Sequence, residues 1–353
     1  MYPRINIDLE KLKYNAEMLY KKLDFLDELY IVTKAYSAYL PIVEALHSWG
    51  YRNFADSRII NLKSIKEALP ESNTLMLRLP LPSEVDEVVK YCDRSLNSEI
   101  FTIKLLNEAA LKQDKVHEII LMVDLGDLRE GVMFDQDYYT IVDEILKLKN
   151  IKLLGVGTNL TCYGAIIPTR SKMEQLVEVK ENIEKHFNIK LPIVSGGNSS
   201  TLPLALENNL PKQVNNLRIG EGFIDGHESA YGHMIDDMVD HIFTLEAEVI
   251  EVKDKPSYPI GKRGFNAFGE EVEFEDVGIH RRVILAIGRQ DVSTDVIEPM
   301  IDTVKILGSS SDHMLLETTD KNIKVGDKIS FYMEYGAILS CFTSKYVAKN
   351  IIK

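Results

Sequence analysis

The first group able to do chemistry is a lysine that closes a short apolar run. Tyr30–Thr33 directly precedes Lys34, so a strand over this run would leave the amine at its carboxyl end. An amine held away from water is less readily charged, and the neutral form is a nucleophile for a carbonyl group. A surface lysine that only marks the end of a strand has the same local sequence, so the run alone leaves both interpretations open.

Two glycine-bearing segments supply groups that bind anions. They are Ser195–Thr201, with the sequence SGGNSST, and Ile219–Gly222. Backbone N–H groups and hydroxyls of such loops converge on a phosphate where a helix begins directly after them. An ordinary Gly/Ser turn with a serine cap has the same composition. Together with Lys34, a phosphate cup indicates pyridoxal 5′-phosphate, because this cofactor carries both an aldehyde and a phosphate.

The elements that position these groups alternate along the chain. Segments with helical spacing separate eight apolar runs, which predicts a parallel sheet. The candidate strands are Leu29–Thr33, Asn53–Ala55, Thr74–Leu79, Ser98–Phe101, Glu118–Val123, Lys152–Gly157, Leu191–Val194 and Asn216–Ile219. Eight β/α units are typical of an α/β (β/α)8 TIM barrel, in which the loops after strands seven and eight often bind phosphate. An open doubly wound sheet is the alternative.

The pattern changes near Tyr231–Asp240, where helical spacing gives way to strand-like runs. These runs are Phe243–Val252, Arg282–Ile287, Thr303–Leu307, Met314–Thr318, Lys328–Met333 and Ile338–Cys341. We therefore predict a cofactor-binding barrel over residues 1–235 and a smaller, mostly β domain over residues 236–353.

Composition excludes several classes of partner and site. The chain has 353 residues and a net charge of −13, which argues against nucleic acid or an anionic membrane as its main partner. Cys92, Cys162 and Cys341 are far apart and form no CxxC motif. A disulfide framework or a structural metal site is therefore not expected, and the chain fits a reducing cytoplasm.

The order of these motifs resembles the alanine racemase family of fold-type III pyridoxal-phosphate enzymes, and within it the ornithine racemase branch. The resemblance rests on Pro3–Leu9, Val32–Ala35, Gly157–Gly164, Ser195–Ser200, Leu285–Val292, Gly308–His313 and Glu334–Ala337. It implies an isomerase that racemises an amino acid, most closely ornithine. It also implies a homodimer with composite active sites.

The resemblance further implies roles for single residues. Lys34 would carry the cofactor and act as one acid/base group at the substrate α-carbon. Arg129 would bind the substrate carboxylate, and Asp312 would reach the substrate end of the site from the partner subunit. Arg218 would face the pyridine nitrogen and keep it unprotonated, since two cations repel. The full set of implied cofactor-binding residues is Lys34, Asn159, Ser199, Arg218, Gly220, Glu221 and Tyr335.

Four positions depart from the alanine racemase pattern. Arg289 stands where that family has the tyrosine that acts as the opposite-face base, and an always-charged guanidinium is a poor proton acceptor. Met122 replaces a lysine whose carbamate braces the carboxylate-binding arginine. Ala38 replaces a phosphate-contacting tyrosine, beside Tyr39, and Asn159 replaces a ring-stacking histidine. The candidates for the second acid/base group are His313, Cys162, Tyr163 and Asp291.

These departures suit a larger or more polar substrate than alanine. The distal ammonium of a diamino acid needs an acidic or carbonyl-lined pocket, for which Asp291, Glu221 and Asp127 are candidates. The alternatives are racemisation of lysine or alanine, a lyase of the same fold (a D-amino-acid aldolase, dehydratase or decarboxylase), and a non-enzymatic cofactor carrier.

Overall fold

A computed structural model describes residues 1–352 of the chain. The polypeptide forms two compact units. One is Glu10–Asp240, and the other combines Met1–Leu9 with the chain from His241 onward. Within the described residues, no helix has the length and apolar composition required to cross a membrane.

Strands dominate the second unit, and strands alternate with helices in the first. In chain order the strands are β1 (Arg4–Asp8), β2 (Glu28–Val32), β3 (Asn53–Asp56), β4 (Asn73–Met76), β5 (Arg94–Asn97), β6 (His117–Asp124), β7 (Val132–Met133), β8 (Ile151–Gly157), β9 (Ile193–Ser195), β10 (Asn216–Ile219), β11 (Phe243–Pro256), β12 (Ile279–Leu285), β13 (Ile297–Pro299), β14 (Val304–Ser309), β15 (Met314–Thr318), β16 (Lys328–Met333) and β17 (Ala348–Ile352). The α-helices are α1 (Leu9–Lys22), α2 (Leu40–Ser48), α3 (Ile59–Ala68), α4 (Val85–Tyr91), α5 (Ile100–Lys112), α6 (Tyr139–Leu146), α7 (Arg170–Phe187), α8 (Leu202–Leu206), α9 (Glu221–Ile224) and α10 (Tyr335–Thr343).

Eight strands of the first unit close into a parallel barrel. The ring runs through β2, β3, β4, β5, β6, β8, β9 and β10, and β10 pairs with β2 to complete it. The short β7 pairs with β6 beside the ring. The predicted TIM barrel is therefore confirmed, and the alternative of an open sheet is wrong because the two end strands pair with each other.

Part of the barrel interior is an apolar cluster. This cluster takes side chains from seven of the eight strands: Tyr30, Val32, Ala55, Leu75, Leu96, Ile120, Met122, Leu154 and Ile193. In β10, Arg218 lies opposite Tyr30 in register. Side chains at paired positions of a sheet share a face, so Arg218 points into the barrel with Tyr30.

The expected strand at Ser98–Phe101 is wrong. The fourth barrel strand is β5, four residues earlier, and helix α5 already begins at Ile100. Strand β5 lacks an apolar run because two of its residues face a buried polar cluster. Ser95 Oγ lies 2.8 Å from His117 Nε2, and Asn97 Nδ2 donates to the same hydroxyl at 2.8 Å.

The second unit is a mostly antiparallel sheet, as predicted. Its strands follow the order β13, β16, β11, β12, β15, β14, and β1 pairs with both β11 and β17. The expected strand at Ile338–Cys341 is wrong, because these residues lie within helix α10. The buried positions Ala337, Ile338, Cys341 and Phe342 have the spacing of one helix face.

The buried histidine of the first unit predicts acid sensitivity. Burial lowers the pKa of His117 to about 4, whereas an unfolded histidine titrates near pH 6.5. Between these values the unfolded chain binds a proton that the folded chain does not. The free energy of unfolding should therefore fall as the pH falls from 6.5 toward 4, by about 2–3 kcal/mol from this residue at pH 4.5.

Urea unfolding at pH 6.5 and 4.5 measures this effect. The His117→Gln variant should lose less stability over the interval than the unsubstituted protein. His233→Gln, at a histidine whose side chain is 78% exposed, is the matched control and should leave the loss unchanged. Equal losses in all three proteins would contradict the assignment.

Candidate active site

The barrel brings the predicted chemical groups to one rim. Lys34 follows β2, Asn159 follows β8, Ser199 follows β9, and Gly220 follows β10. Because all eight strands are parallel, their carboxyl ends lie at the same end of the barrel, which is where TIM barrels carry their active sites.

The backbone that carries Lys34 is pinned by its neighbours. Thr33 is fully buried, and its Oγ1 donates to Asp56 Oδ2 at 2.6 Å. Asp56 Oδ1 accepts from the Arg58 N–H at 2.9 Å and from Asn61 Nδ2 at 3.1 Å. Burial raises the pKa of Asp56 although these donors act in the opposite direction. The ends of β2 and β3 are thus tied together where Lys34 begins a single 3-10 turn.

Arg218 is a buried cation held by neutral acceptors. Its side chain donates from Nη2 to the Thr158 carbonyl at 2.7 Å and from Nη1 to Ser195 Oγ. Burial lowers the pKa of Arg218 to about 10, so the guanidinium still carries its charge at neutral pH. The barrel therefore presents a fixed positive charge beneath the rim.

A chain of polar contacts supports Arg218 from within the barrel. Ser195 Oγ donates to Asn216 Oδ1, and Asn216 Nδ2 donates to Glu28 Oε2 at 3.0 Å. Arg94 then binds Glu28 at 2.7 Å. Sequence reasoning missed Asn216 and Glu28 as supports. The signal was the two-residue spacing of Asn216 and Arg218, which puts both polar side chains on one face of a strand.

The two predicted anion-binding loops are joined through one hydroxyl. Ser199 Oγ accepts from the N–H groups of Gly220 at 3.3 Å and Gly222 at 3.1 Å. Asn198 caps the turn, since its Oδ1 accepts from the Ser200 N–H at 2.7 Å. The Glu221 carboxylate accepts from Ser229 Oγ at 2.6 Å. The structure thus brings together the backbone of Gly220 and the side chain of Ser199.

The side-chain amide of Asn159 is only partly satisfied by hydrogen bonds. Its Oδ1 accepts from Asn198 Nδ2 at 3.0 Å, whereas its Nδ2 is buried and has no hydrogen-bond partner among residues 1–352. Asn198 Nδ2 also contacts Cys162 Sγ at 3.3 Å. An unmatched buried amide is costly, so an acceptor atom from a ligand would fit this position.

Asp127 organises the loop after β8 rather than lining a cation pocket. It is 1% exposed. Its carboxylate accepts four backbone N–H groups at 2.9–3.3 Å, from Thr161, Tyr163, Gly164 and Ile166. These donors occupy the acceptor sites that a distal ammonium would need. Asp127 therefore ties the segment that carries Arg129 to the segment that carries Cys162.

In the second unit, two crossing segments hold Arg289 and Asp312. The Arg289 N–H donates to the Ser310 carbonyl at 2.9 Å. The crossing needs glycine at position 288, because a Cβ there would lie 2.5 Å from the Asp312 nitrogen. Asp312 Oδ1 lies 2.8 Å from His313 Nδ1, so the hairpin presents a carboxylate–imidazole pair. Tyr335 begins helix α10.

The second-base candidates differ in environment. Asp291 is buried and accepts from Ser344 Oγ at 2.6 Å, whereas the Tyr163 side chain is largely exposed. His313 and Cys162 are exposed and already have polar neighbours, Asp312 and Asn198.

Comparison with known proteins identifies the family. The family model described as alanine racemase, N-terminal domain, matches residues 7–224. Over its whole length the chain is 45% identical to all of an ornithine racemase from Acetoanaerobium sticklandii. It is 40% identical to a lysine racemase from Thermotoga maritima, over 99% of this chain and 98% of that protein.

The chain belongs to the alanine racemase family. The resemblance noted in the sequence is therefore confirmed, and so is the expectation of an amino-acid racemase.

Solved structures share the family fold at low sequence identity. An alanine racemase from Clostridium difficile 630 aligns with a TM-score of 0.79 at 16% identity, over 99% of this chain and 95% of that one. An alanine racemase from Bartonella henselae with covalently bound pyridoxal phosphate aligns with a TM-score of 0.74 at 17% identity, over 99% of both chains. This family architecture contains both the barrel and the β unit.

The Asp127 contacts predict a large structural effect from a small substitution. Asp127→Ala removes a buried carboxylate that accepts four backbone N–H groups. We expect a loss of about 2–4 kcal/mol in the free energy of unfolding, together with faster proteolysis near residues 161–166. Urea unfolding and limited proteolysis measure both effects.

The control is Asp143→Ala, which removes an exposed helical ion pair with Lys147. Such pairs contribute little, so this variant should resemble the unsubstituted protein. If Asp127→Ala were as stable as the control, the organising role of Asp127 would be wrong.

Proposed function

We propose that this racemase interconverts L- and D-ornithine and uses pyridoxal 5′-phosphate as its cofactor. The observation that carries the proposal is the composition of one barrel rim. Lys34 follows β2, and Asn159, with its buried and unpaired Nδ2, follows β8. Ser199 follows β9 and accepts the Gly220 N–H, and the buried Arg218 guanidinium lies in β10 of the same barrel.

The residues of the rim fit the parts of this cofactor. Ser199, with the backbone of Gly220 and Glu221, would hold the phosphate, and Tyr335 would add a phenol hydroxyl. The buried Asn159 Nδ2 would donate to the ring oxygen. When bound, the cofactor supplies an aldehyde that condenses with amines and a ring that delocalises negative charge from the substrate α-carbon.

Arg218 would control the electronic character of the site. Its guanidinium stays protonated at neutral pH, because the lowered pKa of about 10 is still well above 7. A ring nitrogen that faces this charge stays unprotonated, since a second cation there would be repelled. Limited charge delocalisation into the ring favours rapid return of the α-proton, as racemisation requires.

Lys34 would hold and move a proton at the substrate α-carbon. Racemisation removes the proton from one face and returns one to the other, so it needs a second group or a water on the opposite face. Arg289 is a poor acceptor. The candidates are His313, 2.8 Å from Asp312, Cys162 beside Asn198, Tyr163 and Asp291.

Arg129 would bind the substrate carboxylate, and Asp312 would contribute to the substrate end of the site in a homodimer. Ornithine is favoured over lysine as the substrate because the ornithine racemase relative is 45% identical and the lysine racemase relative 40%. A reducing cytoplasm is consistent with the three cysteines, none of which forms a disulfide.

Borohydride trapping tests the cofactor and its lysine. The protein supplied with pyridoxal 5′-phosphate should absorb in the visible range and lose this absorbance on reduction with borohydride. Peptide mass mapping should then find the pyridoxyl group on Lys34. Lys34→Ala should fail to become labelled. A pyridoxyl group on another lysine, or a protein that stays colourless, would refute the assignment.

Chiral chromatography of the products tests the reaction and the substrate. L-Ornithine should give D-ornithine, with kcat/KM about tenfold or more above the values for L-lysine and L-alanine, as expected for a site that recognises chain length and a distal polar group. Release of carbon dioxide or an aldehyde without the D-enantiomer would favour a lyase of the same fold. Labelling of Lys34 without turnover of any amino acid would favour a cofactor carrier.

A further inference from the structure

The loop after β6 holds Arg129 on a constrained backbone. Asp124 Oδ1 accepts from the N–H groups of Gly126 at 2.7 Å and Leu128 at 3.2 Å. Lys172 Nζ donates to the Leu125 carbonyl at 2.7 Å. Gly131 has a φ of +130°, and a Cβ there would lie 2.5 Å from the Asp124 nitrogen. The Cα positions of residues 129 and 130 are therefore set by the loop.

The side chain of Arg129 forms a two-point ion pair with Glu130, the next residue in the sequence. Glu130 Oε1 accepts from Arg129 Nη2 at 2.6 Å, and Glu130 Oε2 accepts from Arg129 Nε. The carboxylate is the more buried partner, with its side chain 16% exposed against 41% for Arg129. A two-point contact fixes the plane of a guanidinium as well as its position.

We infer that Glu130 is a positioning residue that holds the Arg129 guanidinium in the orientation in which it binds the substrate carboxylate. This inference rests on the role of Arg129 in the proposed function. Glu130 is not among the site residues predicted from the sequence.

The contact leaves donors for a second carboxylate. A guanidinium has five N–H bonds, of which Glu130 engages one on Nε and one on Nη2. The other edge retains three N–H groups, and Arg129 has no further hydrogen-bond acceptor among residues 1–352. A substrate carboxylate can therefore bind that edge while Glu130 keeps the first one.

Glu130 also offsets repulsion between the two cations of the rim. Its hydrogen bonds and charge raise the pKa of Arg129. For Arg218, burial is the main cause of the lowered pKa, the charge of Glu130 opposes it, and the charge of Arg129 adds to it. Without Glu130, Arg129 would lose its contact and still be repelled by Arg218, so it would move out of place.

Substitution of Glu130 by glutamine separates positioning from chemistry. Glutamine keeps the shape but loses the charge and one acceptor. In the holoenzyme, Glu130→Gln should raise KM for ornithine about tenfold and change kcat less than about threefold, because it weakens substrate binding without touching Lys34. The ornithine Kd, measured by calorimetry, should rise in parallel. Glu144→Gln, which breaks an exposed ion pair with Lys104, is the matched control and should change none of these values.

Two further variants keep the outcomes distinct. Arg129→Gln should raise KM at least as much as Glu130→Gln, and adding Glu130→Gln to it should have an effect below about twofold, since a brace acts only through the residue that it holds. If Arg129→Gln raises KM but Glu130→Gln does not, the positioning role of Glu130 is wrong and the role of Arg129 stands. If Arg129→Gln leaves KM unchanged, the proposed role of Arg129 is wrong, and the positioning role of Glu130 is wrong as well.

A folding defect is detected by thermal unfolding of each variant. If Glu130→Gln does not fold, Glu130→Asp takes its place, because aspartate keeps the charge but withdraws the carboxylate by one methylene. It should raise KM severalfold at unchanged kcat. An unchanged KM in a folded Glu130→Asp variant would then overturn the inference.

Discussion

The site depends on the closure of eight parallel strands into one ring. Pairing of β10 with β2 puts all eight carboxyl ends at one rim, although the residues concerned are far apart in sequence. The same closure buries Arg218 in the barrel, where solvation by bulk water is lost. Every other feature of the site is arranged around that lysine-bearing rim and that buried charge.

The buried guanidinium shows how the barrel accommodates a charge. Arg218 forms hydrogen bonds to a backbone carbonyl and a serine hydroxyl, and the nearest links of its polar chain are likewise neutral. The first carboxylate in this chain of contacts is that of Glu28, which accepts from Asn216. Neutral acceptors stabilise the cation without cancelling it, so the charge remains available to a ligand at the rim.

Much of this arrangement could be predicted from the sequence. Alternating apolar runs predict the barrel, and motif order selects Lys34, Ser199 and Arg218 as candidate site residues, which the structure places at or near the ends of β2, β9 and β10. Features that depend on contacts across the barrel could not be predicted. The apolar pattern predicts the fourth barrel strand four residues after the observed β5. The polar residues of β5 are buried because Ser95 contacts His117, which lies 22 residues away in the sequence. The Asp127 carboxylate looks like a candidate cation ligand until the structure places four backbone N–H groups on it.

The central claim is that this rim removes the α-proton of ornithine from one face of the α-carbon and delivers a solvent-derived proton to the other face. The most direct test incubates the cofactor-supplied protein with L-ornithine, and separately with D-ornithine, in deuterium oxide, followed by chiral separation and mass spectrometry. The account predicts that each enantiomer gives the other, and that the product carries deuterium at the α-carbon. Ornithine that keeps both its configuration and its α-proton in both experiments would contradict it.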